Sequence, residues 1–196
     1  MLSDKRQRVR NLCKLKSLKG KTVDELLAHA CISPKSLPLD LDKLLRTWKI
    51  IARSADMSGL EEIAKDEVEK NGAILGVVAA PNENVVLLFS DKSSKPRARF
   101  TIAHELAHCC LHTEKLEKGY IYFRLGGGMQ PQEENEADEF ARNLLMPEDV
   151  IISQFNEIKL NNPDIKNENI IHKLAITCDV AEEEVATRLR LLQLLD

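Results

Sequence analysis

Residues 99–112 read RFTIAHELAHCCLH, and the middle five, HELAH at 104–108, form an HExxH pattern. The pattern has chemical meaning only on a helix, where positions i and i+4 lie a turn apart on one face. His104 and His108 could then share one metal ion, and zinc is the ion this arrangement serves. Glu105 sits one residue further round, within reach of a water on that ion. Zinc lowers the pKa of such a water to roughly 7 and polarises a carbonyl, so Glu105 is the candidate catalytic base and His104 and His108 are candidate metal ligands. Ala103, Leu106, Ala107 and Cys110 recur at i, i+3, i+4 and i+7, which predicts a helix from Arg97 to about Leu111 with one buried stripe.

A catalytic zinc needs a third protein ligand, and the nearest supply is EENEADE at 133–139, with Glu133, Glu134, Glu136, Asp138 and Glu139. This stretch opens a second helix, from about Gln132 to Met146 and limited by Pro147, whose apolar face carries Ala137, Phe140, Ala141, Leu144 and Leu145. Asn135-Glu136-Ala137 resembles the Asn-Glu-small signature of zinc peptidases with a Glu ligand, so Glu136 is preferred, with Glu133 and Glu139 as alternatives. Asp138 or Glu134 could orient a ligand histidine through its other ring N–H. His112, one turn after His108, is expected to serve the helix dipole at the C-terminal end.

Working outward, residues up to about 70 read as helical, with one stripe at Val23, Leu26, Leu27 and Ala30 and another at Leu41, Leu44, Leu45, Trp48 and Ile51. A third helix is expected from Ser58 to Asn71-Gly72. AILGVVAA at 73–80 and VVLLF at 85–89 flank Pro81-Asn82-Glu83-Asn84 and predict an antiparallel hairpin. TEKLEKG after His112 reads as a connector, YIYFRL at 120–125 as a strand, and Gly126-Gly127-Gly128 as a loop. A short amphipathic helix over 148–158 and two more helices complete an α+β fold, mostly helical, with a small antiparallel or mixed sheet packed on the HExxH helix. Three segments are expected: a basic helical stretch at 1–38, a metallopeptidase core at 39–158 and a helical extension at 159–196.

The 196 residues are 43% hydrophobic and 30% charged with a net charge of −3, enough apolar content to bury a core and no run suited to a membrane span. The five cysteines, an odd number with Cys109 and Cys110 adjacent, make a poor disulfide framework and suit reduced, buried thiols in the cytoplasm. The N-terminus lacks the apolar region of a secretory signal. Its first 21 residues carry eight Lys or Arg against one acid, a pattern that suits a solvated helix or flexible leader as well as a nucleic-acid contact.

RFTIAHELAHCCLH at 99–112 and ENEADEFARNLLMP at 134–147 together resemble the ImmA/IrrE family of metallo-endopeptidases, with supporting likeness from about Leu39 through Asp149. The resemblance implies a compact gluzincin-like α+β domain, one catalytic zinc (with manganese as a possible replacement) on His104, His108 and Glu136, and Glu105 as catalytic base. It also implies a protein substrate of the kind that family cleaves in bacterial stress responses and mobile elements, a helix-turn-helix repressor or antitoxin-like partner. The hairpin at 73–89 is where an extended substrate strand is expected to pair. LAITCDVAEEEVATRLRLL at 174–192 looks like a helix-turn-helix with Ala175, Val180, Val185 and Leu189 in its core. Its turn residue is Asp179 rather than glycine, and its second helix opens on Glu182-Glu183-Glu184, which would repel phosphates. A packing or partner-docking role is therefore expected, not direct nucleic-acid binding. Two other functions fit less well: a DNA-associated regulator, or a toxin or interaction module with an idle zinc site. The first has no need of the general base Glu105, and metal content with cleavage by wild type but not Glu105→Gln separates all three.

Overall fold

A four-stranded sheet forms one wall behind the HExxH helix. The computed structural model describes residues 12–126 and 131–195. Lys5, Arg6, Arg8 and Arg10 of the basic N-terminal stretch, and Gly127 and Gly128 of the glycine loop, lie outside the described residues. In chain order the helices and strands are α1 (Leu15–Leu18), α2 (Val23–His29), α3 (Leu41–Trp48), β1 (Ile51–Ala55), α4 (Ser58–Ile63), α5 (Lys65–Asn71), β2 (Ile74–Ala79), β3 (Val86–Ser90), α6 (Lys95–Leu111), α7 (Thr113–Glu117), β4 (Tyr122–Leu125), α8 (Gln132–Leu145), α9 (Glu148–Asn161), α10 (Asn167–Cys178) and α11 (Glu182–Leu191). No helix among the described residues is long and apolar enough to cross a membrane.

Local chemistry starts these elements where the sequence places caps. Thr22 and Glu25 close a capping box on α2: the Glu25 amide donates to Thr22 Oγ1 at 3.2 Å and the Thr22 amide to Glu25 Oε2 at 2.9 Å. Asp40 caps α3 by accepting from the Lys43 amide at 2.8 Å. The α3 stripe does not run on to Ile51. The helix ends at Lys49, which is left-handed (φ 56°), and Ile51 opens strand β1. The expected helix over 58–71 is broken at Ala64 into α4 and α5, and the connector after His112 folds as the short helix α7.

The sheet order is β1-β3-β2-β4, with β1 parallel to β3 and the other two pairs antiparallel. Both strands of the expected hairpin are thus interior. β2 is covered on one side by β3 and on the other by β4, in register Val77 to Phe123 and Val78 to Tyr122. A substrate strand cannot pair with either one without displacing a neighbour, which overturns the expectation for 73–89. Among the described residues the edge strands are β1 and β4.

Helix α6 crosses this sheet and packs on α8 over its other side. Every residue from Ala103 to Cys110 is buried, so α6 is enclosed all round rather than along one stripe. The main hydrophobic core extends from Cys13 and Leu15 through Leu44, Leu87, Phe100 and Leu144 to Val185 and Leu189, and so draws on α10 and α11. Asp179 takes the left-handed turn conformation (φ 53°) between these last two helices. Its carbonyl accepts from Arg99 Nε at 3.0 Å and its carboxylate meets Lys95 Nζ at 3.1 Å. Arg188 is buried because its guanidinium closes the end of α8, donating to the Met146 carbonyl at 3.1 Å and Asn143 Oδ1 at 2.9 Å. A cation there also satisfies the negative end of that helix. The first acids of α11 are paired at the surface, Glu183 with Arg97 at 3.2 Å and Glu182 with His172 at 2.7 Å. Of the five cysteines Cys13, Cys109, Cys110 and Cys178 are buried and Cys31 is exposed.

Candidate metal centre

One turn of α6 separates His104 from His108, and the two imidazoles meet with their Nε2 atoms 3.1 Å apart. Into the same point α8 projects Glu134, with Oε2 at 3.0 Å from His104 Nε2 and Oε1 at 3.2 Å from His108 Nε2. Two imidazole nitrogens and a carboxylate converge there as a donor set suited to zinc. They are the group of metal-capable side chains found among the described residues. The cluster is buried: the His104 and His108 side chains are 0% and 1% exposed, and Glu134 keeps 13%.

Glu136 lies outside this cluster. From Glu134 a helix turns roughly 200° in two residues, and that rotation carries Glu136 to the rim, where its side chain is 45% exposed. There it accepts from His112 Nε2 at 3.1 Å and from Gln132 Nε2 at 2.7 Å. Geometry therefore places Glu134 where the sequence signature suggested Glu136. The helical face could have given the answer: Glu134, Asp138 and Ala141 recur at i, i+4 and i+7, and Ala137 and Ala141 are the fully buried alanines that let α8 approach α6. Glu133 also points elsewhere, to Lys115 at 2.6 Å and the Tyr122 hydroxyl at 3.2 Å.

Asp138, one turn after Glu134, accepts from His104 Nδ1 at 2.8 Å. Two guanidiniums in turn hold Asp138, Arg124 at 2.5 Å and Arg142 at 3.1 Å, and both stack over the Phe100 ring. Behind them stands Glu184 of α11, 3.8 Å from Arg124 and 3.9 Å from Arg142. His108 is stacked face to face with Tyr122 of β4, ring centres 4.0 Å apart and 17° from parallel. His112 does not simply cap the helix: its Nδ1 lies 2.9 Å from His108 Nδ1.

Electrostatics separate the roles of the acids. Burial opposes the charge on Glu134, but the hydrogen bonds from His104 and His108 outweigh it and hold the carboxyl at about 2. Glu134 is thus an anion ready to ligate. Glu105 is fully buried, both its oxygens lack a hydrogen-bond partner, and desolvation pushes its carboxyl up to about 8. A cation at the adjacent cluster would favour its charged form. An unpartnered carboxylate beside a convergent N2O donor set is what a hydrolytic metal site requires, so the residues present fit a single divalent ion.

Glu105 can occupy this position because the strand opposite carries glycine. A Cβ built on Gly76 would stand 2.6 Å from Glu105 Oε1 and 2.3 Å from Thr101 Cγ2. Gly76→Ala is therefore expected to force α6 away from β2 or to turn the Glu105 carboxylate, at about 1–3 kcal/mol of stability. Thermal unfolding and turnover of the variant check this, and wild-type values for both would show that the strand yields freely.

No curated protein matches the chain. The profile of the IrrE N-terminal-like domain, Peptidase_M78, matches residues 68–190, a span that begins in α5, takes in the whole metal cluster and ends in α11. Over most of its length, then, the chain belongs to the IrrE N-terminal-like family of peptidases.

Proposed function

We propose that this chain is a zinc-dependent endopeptidase that cuts an intracellular protein, with His104, His108 and Glu134 as metal ligands and Glu105 as general base. The observation that carries the reading is the convergence of those three ligand atoms beside a buried carboxylate with no other partner. Bound there, a zinc ion supplies Lewis-acid chemistry, acidifying water and polarising the scissile carbonyl. Glu105 takes the proton from the attacking water and returns it to the leaving amine, as expected of a carboxylate whose pKa lies near neutrality. Asp138 fixes the His104 ring through Nδ1, and Tyr122 fixes the plane of His108 by stacking. Burial strengthens each of these interactions.

The edge strand β4 is the docking strand this reading favours. It carries Tyr122 and Arg124, both in contact with the site, and the residues just before it, Tyr120 and Ile121, are 60% and 49% exposed. An extended peptide paired along that edge would lie beside His108. For the substrate we propose a helix-turn-helix repressor or antitoxin-like protein, supported by the resemblance of the two motif blocks.

The test is cleavage of a helix-turn-helix repressor from the same cell by purified chain carrying one equivalent of zinc. The expected result is a discrete cut, identified by mass spectrometry, that stops on chelation and returns with zinc. Failure to take up one zinc per chain would remove the metal reading; uptake without a cut would remove the substrate.

A further inference from the structure

Helix α6 carries more on its metal-facing side than the two ligand histidines. Arg97, Thr101, His104 and His108 recur at i, i+4, i+7 and i+11 and so share one face. Strand β4 runs over that face with period two. Tyr122 lies against His108 and Arg124 against Asp138, and the next position is Gly126, which adds no side chain. There a cavity of about 200 Å³ opens over Thr101, bounded on the α11 side by Glu183 and Glu184. The bulge of β2 between Ile74 and Gly76 brings Leu75 into its wall.

Two cations and two anions line the cavity, Arg97, Arg124, Glu183 and Glu184. Arg97 and Glu183 pair with each other at 3.2 Å, both largely exposed. Glu184 is less exposed and lacks a hydrogen bond among the described residues: its nearest cations, Arg124 Nη2 and Arg142 Nε, stand at 3.8 and 3.9 Å, beyond hydrogen-bonding range. Thr101 is 2% exposed, and the described residues give its hydroxyl no hydrogen bond either. Polar groups so placed cost free energy until something pairs with them. A charged side chain entering here would be repelled by one pair of charges or the other, and an apolar one would leave the polar groups unpaired. A carboxamide answers both, because its NH2 can donate to Glu184 while its carbonyl accepts from Arg124 Nη2 or the Thr101 hydroxyl. Resting on the peptidase reading above, we infer that this cavity is the subsite that selects a glutamine or asparagine side chain on the substrate strand. Thr101 precedes His104 and His108 by roughly 5–10 Å along the helix, and two residues of an extended chain span roughly 7 Å on one face. The selected side chain is therefore two residues from the one beside His108.

Two measurements test this. In the metal-free protein, titration with N-acetylglutamine methylamide is expected to give saturable shifts of the Leu75, Thr101 and Gly126 amide resonances, and the methionine and lysine analogues are expected to give none. In a peptide digest of cellular proteins cut by the zinc-loaded chain, glutamine or asparagine should be enriched two residues from the new ends. Selectivity for glutamine over the isosteric methionine should fall about 3–10-fold in Thr101→Val, the worth of one neutral hydrogen bond, and return in Thr101→Ser. In Glu184→Leu it should fall about 10–100-fold, the worth of a hydrogen bond to a charged group. Selectivity is a ratio within one enzyme, so it does not move with the rate of the chemical step. Enrichment of lysine, arginine or an apolar residue at that position would overturn the subsite, as would wild-type selectivity in both Thr101→Val and Glu184→Leu or equal shifts from all three probes. A chain that binds zinc yet cuts neither a repressor nor the digest would instead overturn the peptidase reading, and the titration, made without the ion, would still decide whether the cavity takes a carboxamide.

Discussion

Glu105→Gln is expected to bind zinc with wild-type affinity and to lose cleavage by at least about 10²–10⁴-fold, the range a positioned general base contributes. The variant isolates the proton transfer because glutamine has the same shape and Glu105 makes no hydrogen bond that an amide would break. Stability should move the other way. In the metal-free chain the Glu105 carboxyl, ordinarily near 4.5, is raised to about 8 by desolvation, so the folded state holds its proton more tightly than the unfolded state does. Such a group costs nothing below about pH 4.5 and destabilises the fold progressively as pH rises towards about 8. Metal-free Glu105→Gln should therefore match wild type in melting temperature at acid pH and exceed it increasingly towards pH 8. Cleavage at the wild-type rate by the glutamine variant would show that Glu105 is not the base. A melting difference independent of pH would show that its burial is relieved in solution.

The parts of this molecule that the sequence made legible are those in which one helix carries its own signal. HELAH specifies its two histidines by spacing alone, and α6 and α8 are visible from their apolar residues and their prolines at 96 and 147. What stayed hidden depends on partners distant in the chain. IARSA at 51–55 is a strand only because β3 offers it a parallel edge, Ile51 to Val86 through Ala55 to Ser90; its mixed burial leaves no alternating pattern to read. The interior position of β2 was hidden for the same reason, since nothing in AILGVVAA announces that YFRL will cover its outer side. The role of Gly76 was likewise invisible, because its reason is a carboxylate 29 positions later. The acids of α8 were the hardest case. Five lie within seven residues, and a two-position shift separates a ligand from a rim residue; only the helix phase set by Ala137 and Ala141 against α6 distinguishes them.

That phase makes the sharpest contrast. Glu134→Ala is expected to weaken zinc binding by more than about 100-fold, beyond the cost of losing any outer partner, while Glu136→Ala weakens it by no more than about 10-fold. The first removes one of three convergent ligand atoms. It also leaves two buried imidazoles without the anion that bridges them, so the metal-free protein should melt lower as well. The second removes an exposed carboxylate whose influence reaches the ion only through His112 and His108, and solvent can replace part of it. Zinc stoichiometry and competition titrations on both variants decide the matter. Should Glu136→Ala lose the ion and Glu134→Ala keep it, the Asn135-Glu136-Ala137 signature would have been the truer guide. Helix α8 would then have to rotate by roughly 160° on loading, turning Ala137 and Ala141 out of the core and Asp138 off His104. The packing of α8 on α6 makes that rotation far more costly than ligation by the carboxylate already in place.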